Sequence, residues 1–185
     1  MRVIGLSRQL YEEPYEAMVL RRDGNCIDLE ITGKNLPQPD GSVQRIVVGR
    51  DISSRKQAQA QTVFMTQHDL LTGLPNRLLL GDRLKQAIRQ TRRRGMHLAV
   101  VFIDLDGFKK VNDQHGHGVG DKLLSVLSRR MTQVLREGDT LARLGGDEFV
   151  AILVDLPDIS VSVPILDRLI EVAAQPVPIG DALCE

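Results

Sequence analysis

The sequence predicts an α/β sandwich, a mixed sheet with helices packed against it, preceded by a three-stranded antiparallel meander and a linker helix. Three observations carry that prediction. From residue 77 onwards amphipathic helical stretches alternate with short apolar runs; LAVVFI at 98–103 is six consecutive apolar residues; and LARLGGDEFVAIL at 141–153 is an apolar run interrupted by two glycines and two acids. Upstream of residue 52 the pattern is strand and turn instead.

Each element has its own warrant. YEAMVLRR, CIDLEITGKNL and VQRIVVGRDI are rich in Val, Ile and Leu and are separated by DGN and PDGS, turns that join antiparallel strands. Such a meander buries little by itself, and nothing before Tyr11 is long enough to cover it. SSRKQAQAQTVFMTQ, from Ser53, lacks Gly and Pro and carries a weak apolar stripe through Ala60, Val63 and Phe64, which predicts a linker helix with a short coiled coil as one use. TGLPN is turn chemistry. Arg77 to Gln90 then predicts a helix with Leu78, Leu79, Leu84 and Ile88 on its apolar side. LAVVFI suits a strand buried on both faces. Phe108 to Gln114 predicts a short helix, and a longer one follows Asp121 with Leu123, Leu127, Met131 and Val134 at spacings of three and four. Two strands meet at Gly145-Gly146, Val161 to Ala174 is a further amphipathic helix, and PVPIGDALCE reads as a hairpin begun and not finished.

Composition narrows the function classes. Lys plus Arg and Asp plus Glu are 24 each, so no overall field favours a nucleic-acid polymer or an anionic membrane. Cys26 and Cys184 have neither the number nor the spacing of a disulfide framework or a zinc site, and read as reduced cytoplasmic thiols. No apolar run approaches the roughly 20 residues of a membrane span.

The interrupted run raises the chemical question. A strand ending in Asp104, Leu105, Asp106 sends both aspartates to one side, since side chains alternate with period two. Asp147 and Glu148 open the strand after the diglycine. If the two segments are neighbours, carboxylates converge at the sheet's edge, where they repel unless a divalent cation lies between them; hard oxygen donors without cysteine suit magnesium or manganese. Gly145 and Gly146, lacking Cβ, permit a tight turn and the close approach of a phosphate. The plain alternative is a diglycine hairpin with two solvated acids. Asp106 has an alternative as the N-cap of a helix starting near Gly107. Asn112 and Asp121 can read a purine edge, or serve as a helix-end polar group and a helix N-cap. His115 and His117 on a glycine-rich loop lack a third ligand for a metal site.

Taken jointly, HDLLTGLPNR at 68–77, FIDLDGFKKVNDQHGHGVGD at 102–121 and RLGGDEF at 143–149 resemble the GGDEF family of diguanylate cyclases. The meander ending in GRDISSRK resembles the C-terminal part of a PAS sensor domain. The organisation implied is a PAS-like part at 1–51, a signalling helix at 52–68 and a GGDEF domain at 69–185 that stops before the family's last strands and helix, which leads us to expect weak activity or none.

The resemblance implies condensation of two GTP molecules into cyclic di-GMP, with Asp104, the Leu105 carbonyl and Asp147 holding magnesium or manganese. It implies that Asp147 or Glu148 helps deprotonate the ribose 3′ hydroxyl, that Asn112 and Asp121 recognise guanine, that His117 lies in the substrate loop, and that Gly145 and Gly146 admit the phosphates. It implies a homodimer with facing half-sites. Arg136 and Asp139, an RxxD ending five residues before the diglycine, resemble the family's inhibitory site for cyclic di-GMP. An arginine at a helix C-terminus followed by a turn aspartate is the other reading of that pair. A non-catalytic nucleotide-binding module and a dimerising scaffold are the competing functions; nucleotide binding without turnover marks the first, and no binding marks the second.

Overall fold

The computed structural model describes residues 2–3, 13–180 and 182–184. Residues 4–12 and Asp181, within the last predicted hairpin segment, lie outside the described residues. The chain divides into two compact units, residues 1–63 and 64–185.

In the first unit β2 (Tyr15–Leu20), β3 (Cys26–Pro37) and β4 (Val43–Asp51) form the expected antiparallel meander, and β1 (Arg2–Val3) adds a short fourth strand, so the sheet order is β1-β2-β3-β4. The Asp-Gly turn works as its sequence requires: Gly24 takes a positive φ of 87° and the Asp23 carboxylate accepts from the Asn25 N–H at 3.0 Å. Val19, Leu29 and Ile31 form a small buried cluster, whereas β4 is exposed along its whole length. Helix α1 (Ser53–Gln67) starts where Asp51 accepts from the Ser53 N–H at 3.0 Å. Lys56 in its first turn pairs with Asp28 and Glu16, each at 2.9 Å.

In the second unit β5 (His97–Ile103), β6 (Thr140–Gly145) and β7 (Glu148–Leu156) form a sheet of order β5-β7-β6. Helices α2 (Arg77–Arg94), α3 (Phe108–His115), α4 (His117–Val134) and α5 (Val163–Ala174) surround it, and β8 (Val177–Ile179) and β9 (Ala182–Cys184) pair as a short closed hairpin where the sequence suggests an unfinished one. The α/β layering is as expected, but every described strand pairing is antiparallel, where a mixed sheet was expected.

The core is built on β7. Phe149, Ala151 and Leu153 join Leu124, Leu127 and Met131 of α4 and Ile165 and Leu169 of α5, while Val150 and Ile152 are buried on the alternate positions. A fully buried Phe or Leu contributes roughly 1.5–3 kcal/mol, so this central strand concentrates the unit's stability. LAVVFI, by contrast, is not buried on both faces. It lies at the sheet edge, and Phe102 is 77% exposed. A continuous apolar run marks the potential for burial, and neighbours decide whether it happens.

Other boundaries move for local reasons. Helix α2 extends to Arg94 and ends on Gly95 in the left-handed conformation. Its inward positions include Leu80, Leu84 and Thr91, so Leu78 and Ile88, expected on the apolar side, are exposed. A 3-10 turn at Ile159–Ser162 precedes α5, because Pro164 favours the first helical turn and the helix starts there rather than at Val161.

Candidate active site

The β5–β7 ladder runs to Ile103 opposite Phe149. Continued by one and two residues, that register sets Asp104 opposite Glu148 and Leu105 opposite Asp147. The two acidic motifs, more than forty residues apart in the chain, therefore meet at one end of one strand pair. Asp104 and Glu148 are exposed and Asp147 is half-buried. Among the described residues no three His, Cys, Asp or Glu side chains are grouped as a ready-made metal cage.

The hairpin between β6 and β7 is tight. Gly145 pairs with Glu148, leaving Gly146 and Asp147 at the tip, so Asp147 belongs to the turn rather than to the strand. Gly145 has φ 146° and Gly146 φ 54°, conformations costly for a residue with a Cβ, and nothing lies within 4 Å of where either Cβ would stand. The glycines are there for the backbone path and for open space beside it.

What holds this tip is a residue we did not single out in the sequence. Arg143 on β6 donates through Nε and Nη2 to the Gly146 carbonyl at 2.9 and 2.7 Å, and through Nη1 to both Asp69 carboxylate oxygens at 3.0 Å. Asp69 in turn accepts from the Thr72 N–H at 2.8 Å and the Thr72 hydroxyl at 2.6 Å. Burial works to raise the Asp69 carboxyl, but the Thr72 hydrogen bonds and the Arg143 guanidinium outweigh it and hold the group below the usual carboxylate range. The Arg143 side chain is only 10% exposed. The turn TGLPN is tied into the same network: the Arg143 N–H donates to the Pro75 carbonyl at 3.0 Å, and Asn76 caps α2 by accepting from Leu78 and Leu79 while its Nδ2 donates to the Thr66 carbonyl at 2.8 Å. The signal was present in the sequence as a single arginine inside the apolar run LARL, since a charge buried in a strand needs a partner.

The remaining candidates are placed as follows. Gly107, left-handed at φ 80°, takes the N-cap position of α3 and no side chain caps it, so Asp106 is not the N-cap. A backbone that must turn left-handed before the helix shifts the start by one residue. Helix α4 begins at His117, a full turn before Asp121, because Gly116 makes the reversal and the following residues pack as a helical first turn. Asp121 is thus an exposed side chain inside the helix and not an N-cap, while His115 and His117 are the last residue of α3 and the first of α4, both exposed, rather than loop residues. Asn112 on α3 lies beside Gly120 of α4, and its Oδ1 is buried without a hydrogen-bond partner among the described residues.

Asp139 is committed to a turn: Oδ2 accepts from the Arg136 N–H at 3.0 Å and Oδ1 from the Val154 N–H at 3.1 Å. The Arg136 side chain is exposed. A cavity of about 730 Å³ runs along β5 and α5, and its lining includes Asp104, Leu105 and Asp106 beside Val101, Leu127 and Leu166. Such walls offer contact to an apolar surface, not counter-charge to phosphates.

Residues 66–183 match the family model described as diguanylate cyclase, GGDEF domain; the sheet of the first unit lies outside the match. The chain is similar to the bifunctional diguanylate cyclase/cyclic di-GMP phosphodiesterase MucR of Pseudomonas aeruginosa, 44% identical over 128 residues that make up 69% of this chain and 18% of that protein. It is also similar to diguanylate cyclase TpbB of the same species, 40% identical over 122 residues, 66% of this chain and 28% of that one. It therefore spans less than a third of the length of either relative. Among solved structures, a sensory box/GGDEF family protein from Caulobacter crescentus superimposes with a TM-score of 0.61 at 45% identity, covering 63% of this chain and 76% of that one. The coiled coil and GGDEF domain of DgcB from the same organism, in complex with cyclic di-GMP, superimposes with a TM-score of 0.63 at 25% identity, covering 71% of this chain and 69% of that one. With the model match spanning well over half the residues, and with the strand end, hairpin and helix pair of the second unit all inside it, the chain belongs to the GGDEF family.

Proposed function

We propose that the second unit is a diguanylate cyclase domain that condenses two GTP molecules into cyclic di-GMP and two pyrophosphates. In each of two equivalent steps a ribose 3′ oxygen attacks the α-phosphorus of the other GTP, pyrophosphate leaves, and the hydroxyl proton passes to Asp147 or Glu148. The observation that carries this reading is the β5–β7 register, which brings the end of FIDLD beside the diglycine hairpin. Asp104, Asp147 and the Leu105 carbonyl are hard oxygen donors at that one place, a set that fits magnesium or manganese with phosphate and water completing the shell. Bound there, the cation would neutralise the charge of the phosphates. Gly145 and Gly146 leave the backbone open to those phosphates, and Asn112 and Asp121 read guanine, with His117, the first residue of α4, as a further substrate contact.

Each copy holds one GTP, so the active species is a homodimer, and α1 is the element that pairs two copies while carrying a signal from a PAS-like input sheet. Product inhibition uses the exposed Arg136 as the donor to cyclic di-GMP, with Asp139 fixing the turn that presents it.

The test is incubation of the 185-residue chain with GTP and magnesium, followed by mass spectrometry for cyclic di-GMP. Product at a low rate is expected, and Asp147→Asn should abolish it while leaving GTP binding measurable by calorimetry. Binding without product in the unmutated chain would replace the cyclase with a nucleotide receptor; no binding at all would leave a scaffold.

A further inference from the structure

We propose that Gly120 is a positioning residue for base selectivity: the missing side chain at this one position of α4 creates the slot that holds the Asn112 amide at the nucleotide edge. The inference rests on the reading of Asn112 as a guanine contact. Of the glycines in GHGVG, Gly116 and Gly118 are exposed, and nothing lies within 4 Å of a Cβ built on either. Gly120 alone is buried. A Cβ there would overlap the Asn112 Oδ1, stand 3.0 Å from the Asn112 Cγ and 3.3 Å from the Phe108 Cε2.

Conformation does not require this glycine. Gly120 is not among the glycines with positive φ, and a helix interior prefers alanine to glycine. Space is the remaining reason. The occupant of that space is the Asn112 Oδ1, which is buried with no hydrogen-bond partner among the described residues. An acceptor taken from water and left unpaired is unfavourable unless a ligand supplies the donor, and the N–H groups of guanine are donors of that kind. The hairpin of α3 and α4 is closed by the Gly116 N–H donating to the Asn112 carbonyl at 2.8 Å, so the backbone of Asn112 is already fixed. The slot at Gly120 fixes its side chain, and Asp121 follows directly on the same helix.

The experiment is calorimetric titration of the full chain with GTP and with ATP in magnesium, for the unmutated protein, Asn112→Ala, Gly120→Ala and the double variant. Gly120→Ala is expected to weaken GTP about tenfold or more and to lower the GTP-to-ATP preference by a similar factor, since a site built to hydrogen-bond a base discriminates through those bonds. In the Asn112→Ala background the same change should cost less than about twofold, because the overlapped group is gone. The double variant also guards against misfolding, as alanine then fills vacated space, and its melting temperature should match that of Asn112→Ala. If Gly120→Ala keeps GTP affinity and preference while Asn112→Ala loses both, the slot is refuted and base reading by Asn112 stands. If the two losses add in full, Gly120 acts through the fold alone and the proposal fails. Should Asn112→Ala bind GTP unchanged, the guanine contact falls and the slot with it.

Discussion

Arg143→Met is the substitution that most directly tests how the hairpin is held. It keeps an apolar stem of similar length in β6 and removes the guanidinium that spans Gly146 and Asp69. Breaking a fully buried ion pair by deleting one partner costs about 3–5 kcal/mol. Here Asp69 keeps 22% of its side-chain exposure and both Thr72 hydrogen bonds, so the loss is placed lower, at about 2–3 kcal/mol. For a unit of this size about 1 kcal/mol moves the melting temperature by roughly 3–5 °C, which gives a fall of roughly 6–15 °C by circular dichroism.

The pH dependence has a definite sign. Asp69 is held below its ordinary value in the folded unit, so its stabilisation is present above the unfolded carboxylate range near pH ~4 and is lost as pH falls through the lower folded value. Removing Arg143 leaves burial opposed by Thr72 alone and should flatten that acid-side loss. Asp69→Asn, which spares the two bonds to Gly146, should destabilise the unit and weaken GTP binding less than Arg143→Met does. A melting temperature within about 2 °C of the unmutated chain, or an unchanged acid-side slope, would refute the clamp.

Three further expectations follow from neighbouring contacts. Asp139→Ala should cost roughly 1–3 kcal/mol in urea unfolding, because it unpairs the N–H groups of Arg136 and Val154, while Arg136→Ala should leave stability within about 0.5 kcal/mol and weaken cyclic di-GMP binding in calorimetry. Asn76→Ala should cost about 1–2 kcal/mol, since one side chain caps α2 and also ties it to the Thr66 carbonyl; hydrogen exchange should show the first turn of α2 opening more often. Gly146→Ala should cost about 1–2 kcal/mol by backbone strain alone, and Gly146→Asn less, because asparagine tolerates the left-handed region; equal losses would mean that side-chain space, not φ, governs the tip.

Much of this architecture was legible in one dimension because its signals are local. Asp-Gly turns, the helical spacing of Leu123, Leu127, Met131 and Val134, and the diglycine hairpin each state their structure within a few residues. The errors arose where a residue's fate depends on what packs against it. LAVVFI and FVAILV are each six consecutive apolar residues, yet the second is sandwiched between β5 and β6 and the first is an edge, a difference set by strand order and invisible to periodicity. Asp106 and Asp121 were both plausible N-caps by type, and both lost that role to glycines whose backbone angles move the helix starts.

The candidate site follows the same division. Its acids announced themselves as polar breaks in apolar runs, because chemistry at a sheet end has to interrupt a hydrophobic pattern. Arg143 did not, since a lone arginine in a strand looks like an edge residue until its partner is known, and Asp69 lies 74 positions away. The glycine at 120 was hidden among neighbouring glycines, and only its burial against the Asn112 amide separates it from them. Residues that present reactive groups can therefore be found by composition at a motif, whereas those that hold the groups still are defined by distance across the fold. The latter class fixes the geometry of the hairpin and of the base contact, so a chain could keep every acid of the motif and still lose its aim through Arg143 or Gly120.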